Sequence, residues 1–200
     1  MSAADPGSAS APPPLPHWPI VGMTGTQGRM ITPEERQSIT PEARATFVAV
    51  LQEVGAKELH HGDCVGADAA THQEAVALGL NVVIHPPTAD IYRANCTGPP
   101  ATITTLPPLA YITRNRKIVD AVDGLIVLPQ GFEQEVRSGT WSTYRYARGI
   151  GRQGRTVPIP TLIIYPDGTR KLEGKQAYTL STFLGRTPQT TPRRPSETWV

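Results

Sequence analysis

The stretch from Gly124 to Ala147, GLIVLPQGFEQEVRSGTWSTYRYA, constrains the fold of this chain more than any other. Its apolar segment LIVL has the length of a buried strand, and Pro129 ends it. A polar loop follows, after which Ser138 or Thr140 is placed to cap a helix. A strand, a loop and a capped helix start direct unpaired backbone N–H groups to one spot, which favours an anion and most often phosphate. The alternative is an ordinary capped helix with Gly139 in a turn.

The composition fits one folded domain between two tails. The chain has 200 residues, of which 18% are charged, and a formal net charge of +2, so it is not an obvious nucleic-acid coat. Proline recurs among small or polar residues near both ends. We therefore predict a disordered Pro-rich tail over residues 1–18, a folded domain over 19–185 and a flexible tail over 186–200.

The expected location is cytoplasmic, without a membrane partner. The N-terminus lacks a basic segment followed by an apolar one, and no run approaches the roughly 18 apolar residues of a membrane span. Cys64 and Cys96 do not make a disulfide framework.

Apolar runs alternate with helical patterns along the folded part. Strands are predicted at residues 19–24, 57–60, 81–85, 125–128 and 157–165, with helices between them. A helix start is also predicted at Thr32 and another at Thr40, each followed by proline. The pattern predicts a three-layer α/β fold with a mainly parallel five-stranded sheet in the order 3-2-1-4-5.

The candidate site follows from this strand order. Ligands of such sheets bind beyond the carboxyl ends of the strands, where the order reverses, and three glycine-bearing loops meet there. Gly62 and Gly66 would let a ligand approach the backbone, and Asp68 would cap a helix or face a ribose hydroxyl. The predicted ligand-binding residues are Thr24, Gly25, Thr26, Gln27, Gly62, Asp63, Gly66, Asp68, Arg93, Arg114, Asn115, Pro129, Ser138, Gly139 and Thr140.

A metal site is the rival hypothesis for one of these loops, because several ligand-type residues lie close together in the sequence. Their spacing matches none of the common zinc patterns, and histidines at a strand end more often satisfy local hydrogen bonds. We therefore predict no metal and no cofactor. The residues concerned are His60, His61, Asp63, Cys64 and His72.

An ordered set of segments resembles the SLOG superfamily, a group of Rossmann-like proteins that includes the lonely-guy phosphoribohydrolases. The segments are TGTQ, HGDCVGADA, HPP, YITRNRKIVDAVDGLIVLP and SGTWSTYRYA, and they extend over residues 20–168. The likeness is closer to the small bacterial and phage branch related to YspA and YpsA. The resemblance implies a Rossmann-like fold, a pocket for a nucleotide or nucleotide-derived molecule with the SGT segment on its phosphate, and a homodimer paired through helices.

The chain departs from the hydrolases of that superfamily at one position. Their PGGxGTxxE motif carries a glutamate that works on the N-glycosidic bond, and this chain has Thr143 in its place. Threonine cannot act as a carboxylate base or stabilise an oxocarbenium ion by charge. An enzyme would need another carboxylate, for which Asp63 is the best candidate and Asp68 and Glu135 are the alternatives.

Three hypotheses on function remain open at this stage. The first is a protein that senses or sequesters a nucleotide-derived molecule. The second is an enzyme that hydrolyses or transfers at the N-glycosidic bond of a nucleotide, with Asp63 as the catalytic residue. The third, less favoured, is a protein that binds single-stranded DNA through Arg145, Arg148, Arg152 and Arg155, whose spacing is near-helical.

Overall fold

A computed structural model describes residues 14–27, 39–151, 154 and 157–174. Within them the chain forms four α-helices, seven strands and one short 3₁₀-helix, Asp90–Tyr92. The strands are β1 (Ile20–Gly25), β2 (Glu58–His61), β3 (Asn81–Ile84), β4 (Ile103–Thr105), β5 (Gly124–Leu128), β6 (Thr161–Ile164) and β7 (Arg170–Glu173). The helices are α1 (Pro41–Glu53), α2 (Ala67–Ala77), α3 (Tyr111–Asp120) and α4 (Gly139–Ala147).

The strands form one sheet in the order β4-β3-β2-β1-β5-β6-β7. All neighbouring pairs are parallel except β6 and β7, which are antiparallel. The inner five strands follow the predicted order. The observed sheet has two more strands than predicted, because β4 and β7 extend it at its two edges. Both added strands are short and largely exposed, so neither carries the continuous apolar run that reveals a buried parallel strand.

Two hydrophobic clusters cover the two faces of the sheet. The first joins α1 and α2 to one face and includes Phe47, and the second joins α3 and α4 to the other and includes Trp141. The predicted three layers are therefore confirmed. None of the described helices is long and apolar enough to cross a membrane.

The caps of two helices agree with the prediction from sequence. Thr40 accepts a hydrogen bond from the Ala43 N–H at the start of α1, and Ser138 accepts one from the Trp141 N–H at the start of α4. These bonds satisfy amide groups that have no partner inside the helix. The helix start predicted at Thr32 lies outside the described residues.

The N-terminal boundary of the domain lies earlier than predicted. Trp18 is 2% exposed and belongs to the first cluster, and its N–H donates to the Val54 carbonyl at 2.8 Å. Its indole lies where a side chain at residue 124 would stand, so Gly124 is required by packing. Residues 14–18 are thus part of the folded unit, whereas the tails predicted over residues 1–13 and 186–200 lie outside the described part of the chain.

The last predicted strand is shorter than expected. Only Thr161–Ile164 pairs in the sheet, whereas the prediction began it at residue 157. Pro158 and Pro160 lack the N–H group that a sheet ladder needs, so pairing starts after them.

Candidate functional site

A crevice of about 680 Å³ opens beyond the carboxyl ends of β1 and β5, between the loops that follow these strands and the start of α3. This volume lies within the range of roughly 300–1,000 Å³ typical of small-molecule sites. It is the position expected for a ligand in an open α/β sheet, because β1 and β5 are the pair at which the strand order reverses. The predicted residues that line it are Thr24, Gly25, Thr26, Gln27, Asp68, Arg114, Asn115, Ser138, Gly139 and Thr140.

The start of α4 supplies one end of the crevice. The first intrahelical bond here runs from the Ser142 N–H to the Ser138 carbonyl, so the N–H groups of Gly139 and Thr140 precede the helical ladder. A methyl group added at Gly139 would meet no atom within 4 Å, so the space beside this residue is open. The arrangement suits an anion that approaches the backbone closely.

Arg114 forms the floor of the crevice and is only 5% exposed. Its Nη2 donates to the Cys64 thiol at 3.1 Å, and its Nη1 lies 3.9 Å from the Asp68 carboxylate. Its guanidinium also lies over the Tyr111 ring, with 5.5 Å between Cζ and the ring centroid. The buried Nε has no hydrogen-bond partner in the described part of the protein. Among the described residues, the buried positive charge therefore has one counter-charge, 3.9 Å away, and an incomplete set of acceptors.

The close approach of the Arg114 guanidinium requires glycine at position 62. A Cβ at this position would stand 1.2 Å from the Arg114 Nη1 and 2.3 Å from its Cζ, so only glycine leaves room for the guanidinium. Gly66 has a φ of 101°, and its added Cβ would lie 2.6 Å from the Gln27 backbone. Both glycines therefore allow parts of the protein to pack closely, and neither lines the crevice, so their contact with a ligand stays a prediction.

Asp68 braces the loop between β2 and α2. Its Oδ2 accepts from the N–H groups of Gly62 and Cys64, both at 3.0 Å, although the residue lies inside the first turn of α2. Burial raises the pKa of this carboxyl, while the Arg114 charge and the two amide donors act in the opposite direction. The Oδ2 atom thus accepts from amides of the preceding loop, where the helix-cap prediction had it at the start of α2, and the predicted ribose contact of this lining residue stays a prediction.

Asp63 lies behind the crevice and does not line it. It is 1% exposed, its Oδ2 accepts from the Arg93 Nε at 2.6 Å, and its Oδ1 accepts from the Cys96 N–H at 2.8 Å. These bonds tie the connection after β3 to the β2 loop, so Asp63 and Arg93 hold two loops together. The predictions that Asp63 is catalytic and that Arg93 contacts the ligand do not fit this geometry. Pro129 also lies outside the lining.

Thr143 is buried one turn into α4 and has both of its hydrogen-bonding roles filled. Its hydroxyl donates to the Gly139 carbonyl at 2.9 Å and accepts from the Asn115 side-chain amide at 2.8 Å. The position thus joins α3 to α4, and it offers neither a charge nor a free proton acceptor to a ligand.

A buried histidine pair, His61 and His72, lies beside the site. His61 accepts from the Asp63 N–H through Nδ1 and bonds His72 through Nε2, and His72 bonds the Thr97 carbonyl through its other nitrogen. These bonds use all four ring nitrogens and set both tautomers. Cys96 brings its sulfur near the pair, with the three potential ligand atoms within 4.8 Å of one another. A metal here would have to displace the bond between the two rings, and burial raises the pKa of the Cys96 thiol away from the thiolate that zinc needs.

Sequence reasoning missed several residues that line the crevice. Tyr92 lies in the long connection after β3, in which no local sequence pattern indicates which side chain would line a site. Tyr111 and Ile112 begin α3, whose start faces the same edge of the sheet as the start of α4. Further lining residues of this kind, which include Gln130, Val136 and Arg137, lie in the loop after β5, and others lie on β1, α3 and α4.

Comparison with known proteins gives no family for the chain. No family model matches it, and no curated protein matches it. A solved structural-genomics target designated TM1055 has 19% identity and a TM-score of 0.44, covering 66% of this chain and 70% of its own. A molybdenum cofactor binding protein from Rippkaea orientalis has 21% identity and a TM-score of 0.43, covering 63% and 68%.

The DNA processing protein A of Streptococcus pneumoniae is also similar, with 19% identity and a TM-score of 0.41 over 64% of this chain and 46% of its own. Likenesses at these levels carry no functional argument. The assignment to the α/β class rests on the strand order and the parallel pairing described above.

Proposed function

We propose that the protein binds an anionic, nucleotide-derived small molecule in the crevice beyond β1 and β5. The observation that carries this proposal is the buried Arg114, whose charge faces a carboxylate 3.9 Å away that already accepts two backbone bonds. A buried cation that is incompletely paired raises the free energy of the empty site, and an anion in the crevice would offset that cost.

The start of α4 directs the anionic group to the same place. The free amides of Gly139 and Thr140 and the positive end of the helix dipole would hold a phosphate, with the Ser138 hydroxyl beside it. Thr26 and Gln27 line the neighbouring part of the crevice and would flank the sugar. The resemblance to the SLOG superfamily supports a nucleotide as the source of that phosphate.

An enzyme of the N-glycosidase type is the second candidate. Thr143 stands where the hydrolases carry glutamate, and Asp63 is turned away from the crevice. The lining carboxylates are Asp68, which braces a loop, and the exposed Glu135. Since no carboxylate is held at the helix start, binding without turnover fits the site better and favours a sensing or sequestering role.

The four arginines of near-helical spacing give less support to single-stranded DNA binding than the crevice gives to small-molecule binding. Arg145 donates to the Val136 carbonyl at 3.0 Å, and Arg148 donates to the Ile159 carbonyl at 3.4 Å and lies 3.9 Å from Glu173. Both side chains are thus engaged within the protein. The two remaining arginines of the row, at 152 and 155, lie outside the described residues.

A homodimer is part of the same proposal. A groove of about 220 Å³ lies between α3 and α4 and is flanked by the exposed apolar side chains of Ile112 and Ile150. Pairing of two copies across these helices would cover the Ile150 side chain. Light scattering at several concentrations tests this: we expect a dimer that Ile150→Glu converts to a monomer, and a wild-type monomer at all concentrations would contradict it.

The binding proposal is tested with a panel of nucleoside mono- and diphosphates, ADP-ribose and its cyclic forms. Melting temperature and product are followed together in the same samples. We expect at least one compound to raise the melting temperature and to be recovered unchanged. Release of free base would establish the enzyme instead, and no stabilisation by any compound would overturn the proposal.

A further inference from the structure

The crevice has two chemically different ends. The end at α4 offers amides and hydroxyls, whereas Tyr92, which is 38% exposed, lines the crevice from the side of the loop after β2. Ile112 at the start of α3 is 63% exposed and Val136 in the loop before α4 is 85% exposed, and with Tyr92 they form the apolar rim of the crevice. A small anion such as phosphate would leave this apolar rim in water, so the lining is matched to a ligand that has an apolar part as well as a charged one.

Tyr92 is held firmly although it lies in a long connection. Its carbonyl accepts from the Val65 N–H at 2.8 Å, and the following residues pair with the β2 loop through the contact of Cys64 with Arg93 and the Asp63 bonds. The backbone that follows this exposed ring is therefore fixed. A ring presented in this way loses little conformational freedom when a ligand stacks on it.

Tyr111 lines the crevice beside Arg114, whose guanidinium lies over its ring. The Arg114 guanidinium, which lines the anion-binding end of the crevice, is therefore stacked on the Tyr111 ring. A single ligand that spans the crevice would place its anionic group near the Arg114 charge and its other end against an aromatic side chain.

The distance between the two ends fits one nucleotide. Tyr92 is bonded to the loop after β2, and the anion site follows β5, which is two strands away in the sheet. Two strand spacings amount to about 10 Å. A phosphate at α4, a sugar over β1 and a base at the rim would cover this span in one molecule.

Resting on the function proposed above, we infer that Tyr92 is the base-stacking and specificity-determining residue of the crevice. The base of the ligand lies against the Tyr92 ring. Stacking is an attraction of planar rings that does not depend on hydrogen-bond pattern, so the rim selects nucleotides over sugar phosphates and accepts more than one base.

The test compares ligands with and without a base. Wild-type protein, Tyr92→Ala and Tyr92→Phe are titrated calorimetrically with AMP, GMP, CMP, UMP and ribose 5-phosphate. Phe132→Ala is the control variant, because Phe132 is an exposed aromatic residue outside the crevice that stacks on Tyr165. We expect the wild type to bind its best nucleotide about 5- to 150-fold more tightly than ribose 5-phosphate, the range that stacking on one aromatic ring gives.

Tyr92→Ala should remove that preference without changing the affinity for ribose 5-phosphate. Tyr92→Phe and Phe132→Ala should keep it. If the wild type binds nucleotides and Tyr92→Ala retains the full preference, the inference on Tyr92 is wrong while the proposed function stands. If the wild type binds none of the five compounds, the inference fails, and the nucleotide proposal fails with it only when the larger panel described above also gives no stabilisation.

Discussion

The contact between Gly62 and Arg114 gives a prediction that can be tested on the protein without a ligand. In Gly62→Ala the added Cβ would lie 1.2 Å from Nη1, 2.3 Å from Cζ and 2.9 Å from Nη2 of Arg114. No small adjustment accommodates three contacts of this length, so the guanidinium must leave its place. It then loses the Cys64 thiol as an acceptor and moves away from Asp68.

The size of the effect follows from these lost interactions. Hydrogen bonds of a charged group contribute about 1.5–3 kcal/mol, and replacing glycine by alanine returns about 0.4–1 kcal/mol by restricting the unfolded chain. Gly62→Ala should therefore lower the free energy of unfolding by about 1–2 kcal/mol. For a domain of this size that corresponds to a fall in melting temperature of about 2–8 °C.

A double-mutant cycle separates this cause from a general effect of the substitution. Arg114→Met keeps an apolar stem that ends near the position of Nε and therefore does not reach residue 62. In that background Gly62→Ala should be neutral or stabilising, which gives a coupling energy of about 1.5–3 kcal/mol between the two positions. Urea unfolding of the four proteins measures it, with Gly131→Ala as control because an added Cβ there meets no atom within 4 Å. Equal costs of Gly62→Ala in both backgrounds would refute the placement of Arg114.

Three further predictions concern the rest of the domain. Burial, with the nearby His60 and Arg114 charges, lowers the pKa of His85 to about 4. As the pH drops from about 6.5 to 4, the unfolded chain therefore takes up a proton before the folded protein does, and the free energy of unfolding falls. Urea midpoints should show this fall and His85→Gln should flatten it, whereas an unchanged slope in the variant would contradict the prediction. Trp18→Ala should lower the free energy of unfolding by about 3–5 kcal/mol in the same assay, and a neutral result would return residues 14–18 to a tail. Asp63→Asn should lower the free energy of unfolding by about 1–3 kcal/mol, because it weakens the ion pair with Arg93. The calorimetric affinity for ribose 5-phosphate should stay within about threefold of wild type. A loss of binding without a loss of stability would place Asp63 in the binding site.

The inner sheet could be predicted from sequence because its strands are apolar on both faces. β5 is buried at all five positions, and the pattern of alternating strands and helices leaves few possible orders once crossovers are right-handed. The edge strands β4 and β7 could not be predicted, because they are short, partly exposed and defined by their partners in the sheet. Trp18 was assigned to a tail because its neighbours in the sequence are prolines, whereas its burial depends on a gap above Gly124 that only the folded structure contains.

The candidate site could be predicted at the level of loops and less well at the level of side chains. Ser138, Gly139 and Thr140 follow from a local signal, the helix cap after a buried strand, and the structure puts them in the lining. Asp63 and Asp68 have the same local signal, two acids among glycines, but their directions are set by amide donors and an arginine from other segments. Polar residues in glycine-rich loops thus identify a site, while their roles depend on contacts distant in sequence.

Gly139 offers the most direct test of the claim that the start of α4 binds an anion. Its Cα faces open space in the crevice, so Gly139→Ala should keep or raise stability by up to about 1 kcal/mol while placing a methyl group over the amides. The measurement is a calorimetric titration of wild type, Gly139→Ala and the control Gly131→Ala with the nucleotide that stabilises the wild type most. We predict at least a tenfold weaker affinity, or about 1.4 kcal/mol, for Gly139→Ala alone. Equal affinities of the three proteins would contradict an anion site at this helix.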